Sequence, residues 1–424
     1  MKWHHVAFCI LGAGILLFAI VRHGPGAPAG LRYTVTVSRD SDCEQSAPTE
    51  SHPSPAAPAE ASPPISLPSA AAPQAAVPPA DSDPSALTLT GGVCPVSVNE
   101  TKCKWSFRKY IPSTLEAEWW KNIDKVGYPG SDVCVFTHQE PYKKWFEKYI
   151  AGCDKMNPGH ISPGALGPYQ SCDCSQGREP AGSVYYDPDV YSRYEYTNDC
   201  TGETKYTYIE PLAGLLRHPM TCENYDWLLR KEWLVVDQWS VRKDHRPGST
   251  YYYFDAGAGV WTKMNTIPPS QEWYYALYKG KCVNLDGYWM WERGLNKPEE
   301  IFNRVPDSEL AKYHYFNVGV VADRNSKYNP LNHIKAVAKP DDYVMFKLDI
   351  DNTPIEEGIV HHLLADKEVQ GLIDEFFWEH HINMNPVAKK SWFGHAIPSK
   401  TGQKDSIKIF RQLREMGIRA HSWI

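Results

Sequence analysis

Long runs of lysine and arginine are missing from this chain, and a formal net charge of −6 offers no long-range attraction to a phosphate backbone. Nucleic acid is therefore not an expected partner. Paired C-x-x-C motifs are missing too. Cys172-Asp173-Cys174 is close-spaced but has no second pair to complete a zinc site, so no metal is assigned. Large apolar side chains are scarce across residues 24–92, and no apolar periodicity runs through them, which excludes a packed core there. That stretch holds much of the chain's proline, with serine and threonine interspersed, and reads as a disordered, O-glycosylated stalk.

What is present is distributed unevenly. Val6 to Val21 is an unbroken apolar run, VAFCILGAGILLFAIV, followed by Arg22 and His23. No small-residue cleavage site follows directly, so residues 1–23 are expected to be a cytoplasmic end and an uncleaved signal anchor, with the membrane as partner through residues 6–21. A cleaved signal peptide is the alternative. Both send the rest of the chain into the secretory pathway, and the layout of anchor, stalk and globular part suits a single-pass type II Golgi protein with a lumenal C-terminal domain. Eight cysteines between Cys94 and Cys222 agree, because in an oxidising lumen they read as a disulfide framework. The sequon Asn99-Glu100-Thr101 points the same way.

The globular part divides by pattern. Residues 94–245 are rich in Cys, Tyr and Trp and poor in periodicity, which predicts an irregular, disulfide-pinned segment with a short helix opening at Glu210-Pro211. In residues 247–424 strand signals alternate with helix signals, the pattern of βαβ units and a mainly parallel sheet. Strands are expected at Tyr251–Ala256, Leu285–Glu292, Tyr313–Val321, Tyr343–Asp351, Leu372–His381 and Ile418–Ile424. Helices are expected at Ser270–Lys279, from Pro330 behind Asn329, around Ile355–Leu364, and up to Gly417. The fold class is α/β, Rossmann-like, with helices on both faces.

In an open α/β sheet, ligands lie outside the carboxyl ends of the strands. This sequence puts acids at those ends: Asp255, Glu292, Asp349 with Asp351, and Glu379. Phe254-Asp255-Ala256-Gly257-Ala258-Gly259 is strand, acid, glycine turn, so Asp255, Gly257 and Gly259 are candidate cofactor residues. Glu292, at the next strand end, is placed to hold the ribose hydroxyls of a nucleoside. Asp349, Asp351, Glu379 and His380 are the candidate acids and bases, His380 having the most useful ordinary pKa.

From Tyr251 to His381 the chain resembles the FkbM-like methyltransferases. The matching pieces are FDAGAG, the acid of WMWE, Lys347-Leu348-Asp349-Ile350-Asp351 with Glu356 after it, and FFWEHH. Asp351 and Asn352 stand where the family has Glu and Gly. Through Arg419 to Trp423 it is also similar to an algal and oomycete-type branch. The resemblance implies a Rossmann-like fold, S-adenosylmethionine as cofactor, and O-methylation of a glycan or another hydroxyl-bearing acceptor. Two alternatives stay open. Asp349-x-Asp351 after an apolar strand suits a metal-dependent Golgi glycosyltransferase. A non-catalytic member of the methyltransferase fold would need neither.

Overall fold

The computed structural model describes residues 10–12, 15–17, 103–156, 186–231, 233–237, 240–241, 248–261, 270–281, 283–392 and 400–423. The chain forms two compact units, Met1–Thr90 and Gly91–Ile424. In the first, β1 (Ile10–Gly12) pairs antiparallel with β2 (Ile15–Leu17). These six residues of the expected anchor are strands, not helix; the rest of that run, and the stalk, lie outside the described residues. Among the described residues no helix is long and apolar enough to cross a membrane. The sequon and Cys43, Cys94, Cys172, Cys174 and Cys282 also lie outside them.

The second unit is built on six parallel strands: β7 (Tyr251–Ala256), β8 (Gly287–Trp291), β9 (Tyr313–Phe316), β10 (Tyr343–Leu348), β11 (Glu375–Trp378) and β13 (Arg419–Ser422). Their order across the sheet is β13-β11-β10-β7-β8-β9. The chain therefore starts in the middle, winds outward through β8 and β9, returns to β10 beside β7, and winds the other way. Right-handed crossovers then force the two halves to send their helices to opposite faces. The helix Ser270–Gly280 packs Tyr274 on Tyr253 and Phe377 on one face. The helices Pro330–Val337, Thr353–Ala365 and Gln403–Glu415 cover the other, through His333 on Trp291, Glu356 on Trp378, and Phe410 on Trp378. Covered on both sides, β10 and β11 are buried at every residue, which is why they read as near-continuous apolar runs. The strands expected from sequence all form, Tyr251–Ala256 at its full length and the others shorter: β10 ends at Leu348 and β11 at Trp378, leaving the acids beyond them in the rim loops.

The cysteine-bearing segment is more ordered than its sequence suggests. β3 (Trp105–Ile111), β5 (Ser192–Asn198) and β6 (Thr204–Ile209) form an antiparallel sheet. β4 (Ser131–Asp132) pairs with β12 (Met384–Asn385) from the other half. Disulfides Cys103–Cys200 and Cys134–Cys222 pin the segment. It shares one core with the parallel sheet, joining Leu115, Trp119 and Trp233 to Tyr251 and Phe346. The short helix expected from Glu210 does not form. Gly214 and Leu216 take positive φ (64° and 56°), which an α-helix cannot hold, and the stretch becomes a turn. Its end residues are used instead as buried charges. Glu210 takes Arg414 (3.2 Å) and His421 (2.9 Å), and Arg217 reaches Ser422. Where a doubly wound sheet would carry another helix over β11 and β13, this segment supplies the cover.

Candidate active site

The sheet reverses its winding between β7 and β10, so the loops leaving these strands part and frame the crevice where ligands bind in such folds. The first loop is Gly257-Ala258-Gly259. Gly257 and Gly259 both have positive φ, 89° and 59°, a conformation glycine takes without steric cost. The amides of Gly257 and Ala258 donate to the Trp291 carbonyl (2.9 and 3.0 Å), tying the loop to the end of β8. Glu292 follows directly. Its carboxylate accepts from the Gly259 amide (3.0 Å) and the Gly294 amide (2.6 Å). Two residues chosen from sequence as cofactor contacts thus meet at one rim.

Asp255 is placed differently from its expectation. It is fully buried beneath the rim and accepts from Tyr253 Oη, Ser270 Oγ (2.8 Å) and Lys347 Nζ (3.2 Å). With these bonds made, it braces the loop from below.

The other acids lie just past the strand ends. Lys347 is opposite Phe377, and Asp349 and Glu379 each stand two residues beyond them; Asp351, at φ 54°, has already left the extended course. Lys347 Nζ lies 3.2 Å from Asp255 and 3.1 Å from Asp349. Asp349 is hydrogen-bonded to Glu379, which also accepts from Trp392 Nε1 (2.9 Å). Arg217 Nη2 is 4.0 Å from Glu379, and its guanidinium lies over the Trp392 ring. Burial opposes charge on both acids. On Asp349 the Lys347 ammonium and the hydrogen bonds outweigh it and hold the carboxyl below the ordinary range. On Glu379 burial and the Asp349 charge push the carboxyl well above that range.

His380 does not stand on this rim. Its side chain points to the opposite face, where Nδ1 pairs with Ser406 (3.0 Å), Nε2 with Glu357 (3.2 Å), and the ring stacks on Trp378. Burial lowers its pKa. The rim histidine is His381, one residue on. Its Nε2 faces Asp351 (3.6 Å) and Glu379 (3.8 Å), and its Nδ1 faces Glu356 (3.8 Å). Asp351, Glu379 and His381 each offer one ligand atom within 4.8 Å of the others, the donor set of a cation site. Glu356 is anchored behind them by the amides of Ile350 and Asn352 and by Trp378 Nε1. The signal for His381 was available, because alternation along a strand puts residues 379 and 381 on one side and residue 380 on the other. Nothing in the aperiodic segment marked Arg217.

No protein-family model, no curated protein and no solved structure matches the chain.

Proposed function

We propose that this protein is an S-adenosylmethionine-dependent O-methyltransferase acting on a hydroxyl of a glycan or similar acceptor, as a type II membrane protein of the secretory pathway. One observation carries the reading. At the switch point of a doubly wound sheet, the Gly257–Gly259 turn and the Glu292 carboxylate come together, the Gly259 amide lying 3.0 Å from Glu292. Glycines that let a ligand approach the backbone, beside an acid at the next strand end, suit the ribose of a nucleoside donor. The resemblance to FkbM-like methyltransferases supports the same donor.

The acids at the ends of β10 and β11 fit the acceptor side. The acceptor oxygen attacks the methyl carbon, the C–S bond breaks with its electron pair staying on sulfur, and a neutral thioether and a methyl ether result. The hydroxyl proton passes to the Asp349 carboxylate, which the Lys347 ammonium and its hydrogen bonds hold toward the ionised form against the effect of burial. Most of the catalysis is then positioning.

Calorimetry of the full chain with S-adenosylmethionine and S-adenosylhomocysteine tests the donor. Saturable one-site binding is expected, weakened about 10- to 100-fold in Glu292→Gln by loss of a charged hydrogen-bond partner. Absence of binding to either compound refutes the reading. A second reading, metal-dependent glycosyl transfer, is favoured by the presence of Asp351 in the cation-capable trio. Mn²⁺-dependent hydrolysis of nucleotide sugars would replace the first reading with it. Silence in both assays points to a non-catalytic member of the fold.

A further inference from the structure

We infer that Asp351, Glu379 and His381 form a binding site for one divalent cation at the carboxyl ends of β10 and β11. The distances argue for this first. His381 Nε2 lies 3.6 Å from Asp351 Oδ1 and 3.8 Å from Glu379 Oε2, too long for hydrogen bonds. Donors that share one ion at about 2.1 Å stand roughly 3–3.5 Å apart, and the three ligand atoms, all within 4.8 Å of one another, come near that spacing.

The back of the histidine argues second. A ligating imidazole turns its other nitrogen toward a carboxylate that orients it. His381 Nδ1 lies on the Glu356 side, 3.8 Å away and so beyond a direct hydrogen bond, and Glu356 is itself fixed by two backbone amides and the Trp378 indole.

Two carboxylate oxygens and one imidazole suit Mn²⁺, Fe²⁺ or Zn²⁺. Glu379 and His381 are the buried side, and Asp351, with a side chain 60% exposed, is the side open to solvent. Three protein ligands with an open side are the layout of a site that takes a further oxygen. On the methyl-transfer reading, and resting on it, that oxygen is the acceptor hydroxyl, which a cation both orients and makes easier to deprotonate.

The test is direct Mn²⁺ binding to the full chain, followed by the loss of the free-ion electron paramagnetic resonance signal, with no S-adenosylmethionine present. One Mn²⁺ per chain is expected, weakened about tenfold or more in Asp351→Asn and in His381→Ala. Because Asp351 is exposed, Asp351→Asn keeps the fold even where His381→Ala does not. No Mn²⁺ binding by the unaltered chain, or equal binding by Asp351→Asn, overturns the inference. Glu292→Gln separates the two readings, since it should keep Mn²⁺ binding while weakening S-adenosylmethionine. Mn²⁺ bound by a chain that ignores S-adenosylmethionine supports the cation site and sinks the methyl-transfer reading.

Discussion

A Cβ built on Gly257 would lie 1.5 Å from the carbonyl oxygen of Asp349. The loops leaving β7 and β10 therefore touch backbone to backbone at the switch point, and only glycine fits between them. The contact is locked by the Asp349 amide, which donates to Ala256 (2.9 Å). Gly257→Ala must push the two loops apart and hold an alanine at φ 89°. A cost of about 3–5 kcal/mol is expected, from overpacking and backbone strain together. Urea unfolding measures it, and a loss under about 1 kcal/mol would mean the loops are not in contact in solution. Gly259→Ala is the comparison, because nothing lies within 4 Å of a Cβ there and only the φ penalty applies.

Glu210 sets an acid limit on stability. Burial alone would raise its pKa, but the charges of His421 and Arg414 and the bonds from His421 and the Val235 amide hold it below the ordinary value. A depressed carboxyl adds stability above its unfolded pKa of about 4.3, and that stability drains away as pH falls from there through the lower folded value. Glu210→Gln should lose about 3–5 kcal/mol at neutral pH, because Arg414 and His421 are left facing a neutral amide. Its unfolding free energy should also fall less steeply below about pH 4 than that of the unaltered protein. Denaturant titrations at a series of pH values check both; parallel acid limbs would remove Glu210 from the account.

The two disulfides close long loops, with sequence separations of 97 for Cys103 and Cys200 and 88 for Cys134 and Cys222. On a chain-entropy view each restricts the unfolded state by about 4–5 kcal/mol. Cys134→Ser with Cys222→Ser should lower the denaturation midpoint and loosen the helix Tyr142–Met156 and the turn around Gly214, whose φ of 64° sets it against Phe146. Hydrogen exchange would locate the loss. Protection unchanged in these segments would show that the bond is incidental to the cover.

The parallel sheet was legible because its strands are buried on both faces. YYYFD, YVMFKLD and FFWE stand out as largely apolar runs ending in acid, and the acids do lie at one end of the sheet. Strand ends were overrun where a polar residue turns the chain. Asp351 takes φ 54°, so β10 stops three residues before it. His380 was favoured for its ordinary pKa, a property of the residue alone, whereas the choice between residues 380 and 381 is made by the pleat. The cover over β11 and β13 could not be read at all. Its key contacts, Arg217 to Glu379 and Glu210 to His421, span more than 150 residues and leave no periodic trace.

Lys347 is the residue on which the rim depends most. Its ammonium, almost wholly buried, lies 3.2 Å from Asp255 and 3.1 Å from Asp349 and also reaches the Gly257 carbonyl (3.3 Å). The two acids raise its pKa well above the ordinary lysine value despite the opposing effect of burial. Lys347→Met keeps the length and apolar stem but strands two buried carboxylates, at a cost of about 3–5 kcal/mol. Asp255→Asn alone leaves Lys347 with Asp349 and keeps the bonds from Tyr253 and Ser270 within reach, so roughly 1–3 kcal/mol is expected. Made together, the changes should cost less than their sum by about 1–2 kcal/mol, because the methionine no longer needs the charge that the asparagine removes. Additive losses in a double-mutant cycle would show that Lys347 serves Asp349 alone, and that Asp255 is held by its hydroxyl partners without the ion pair.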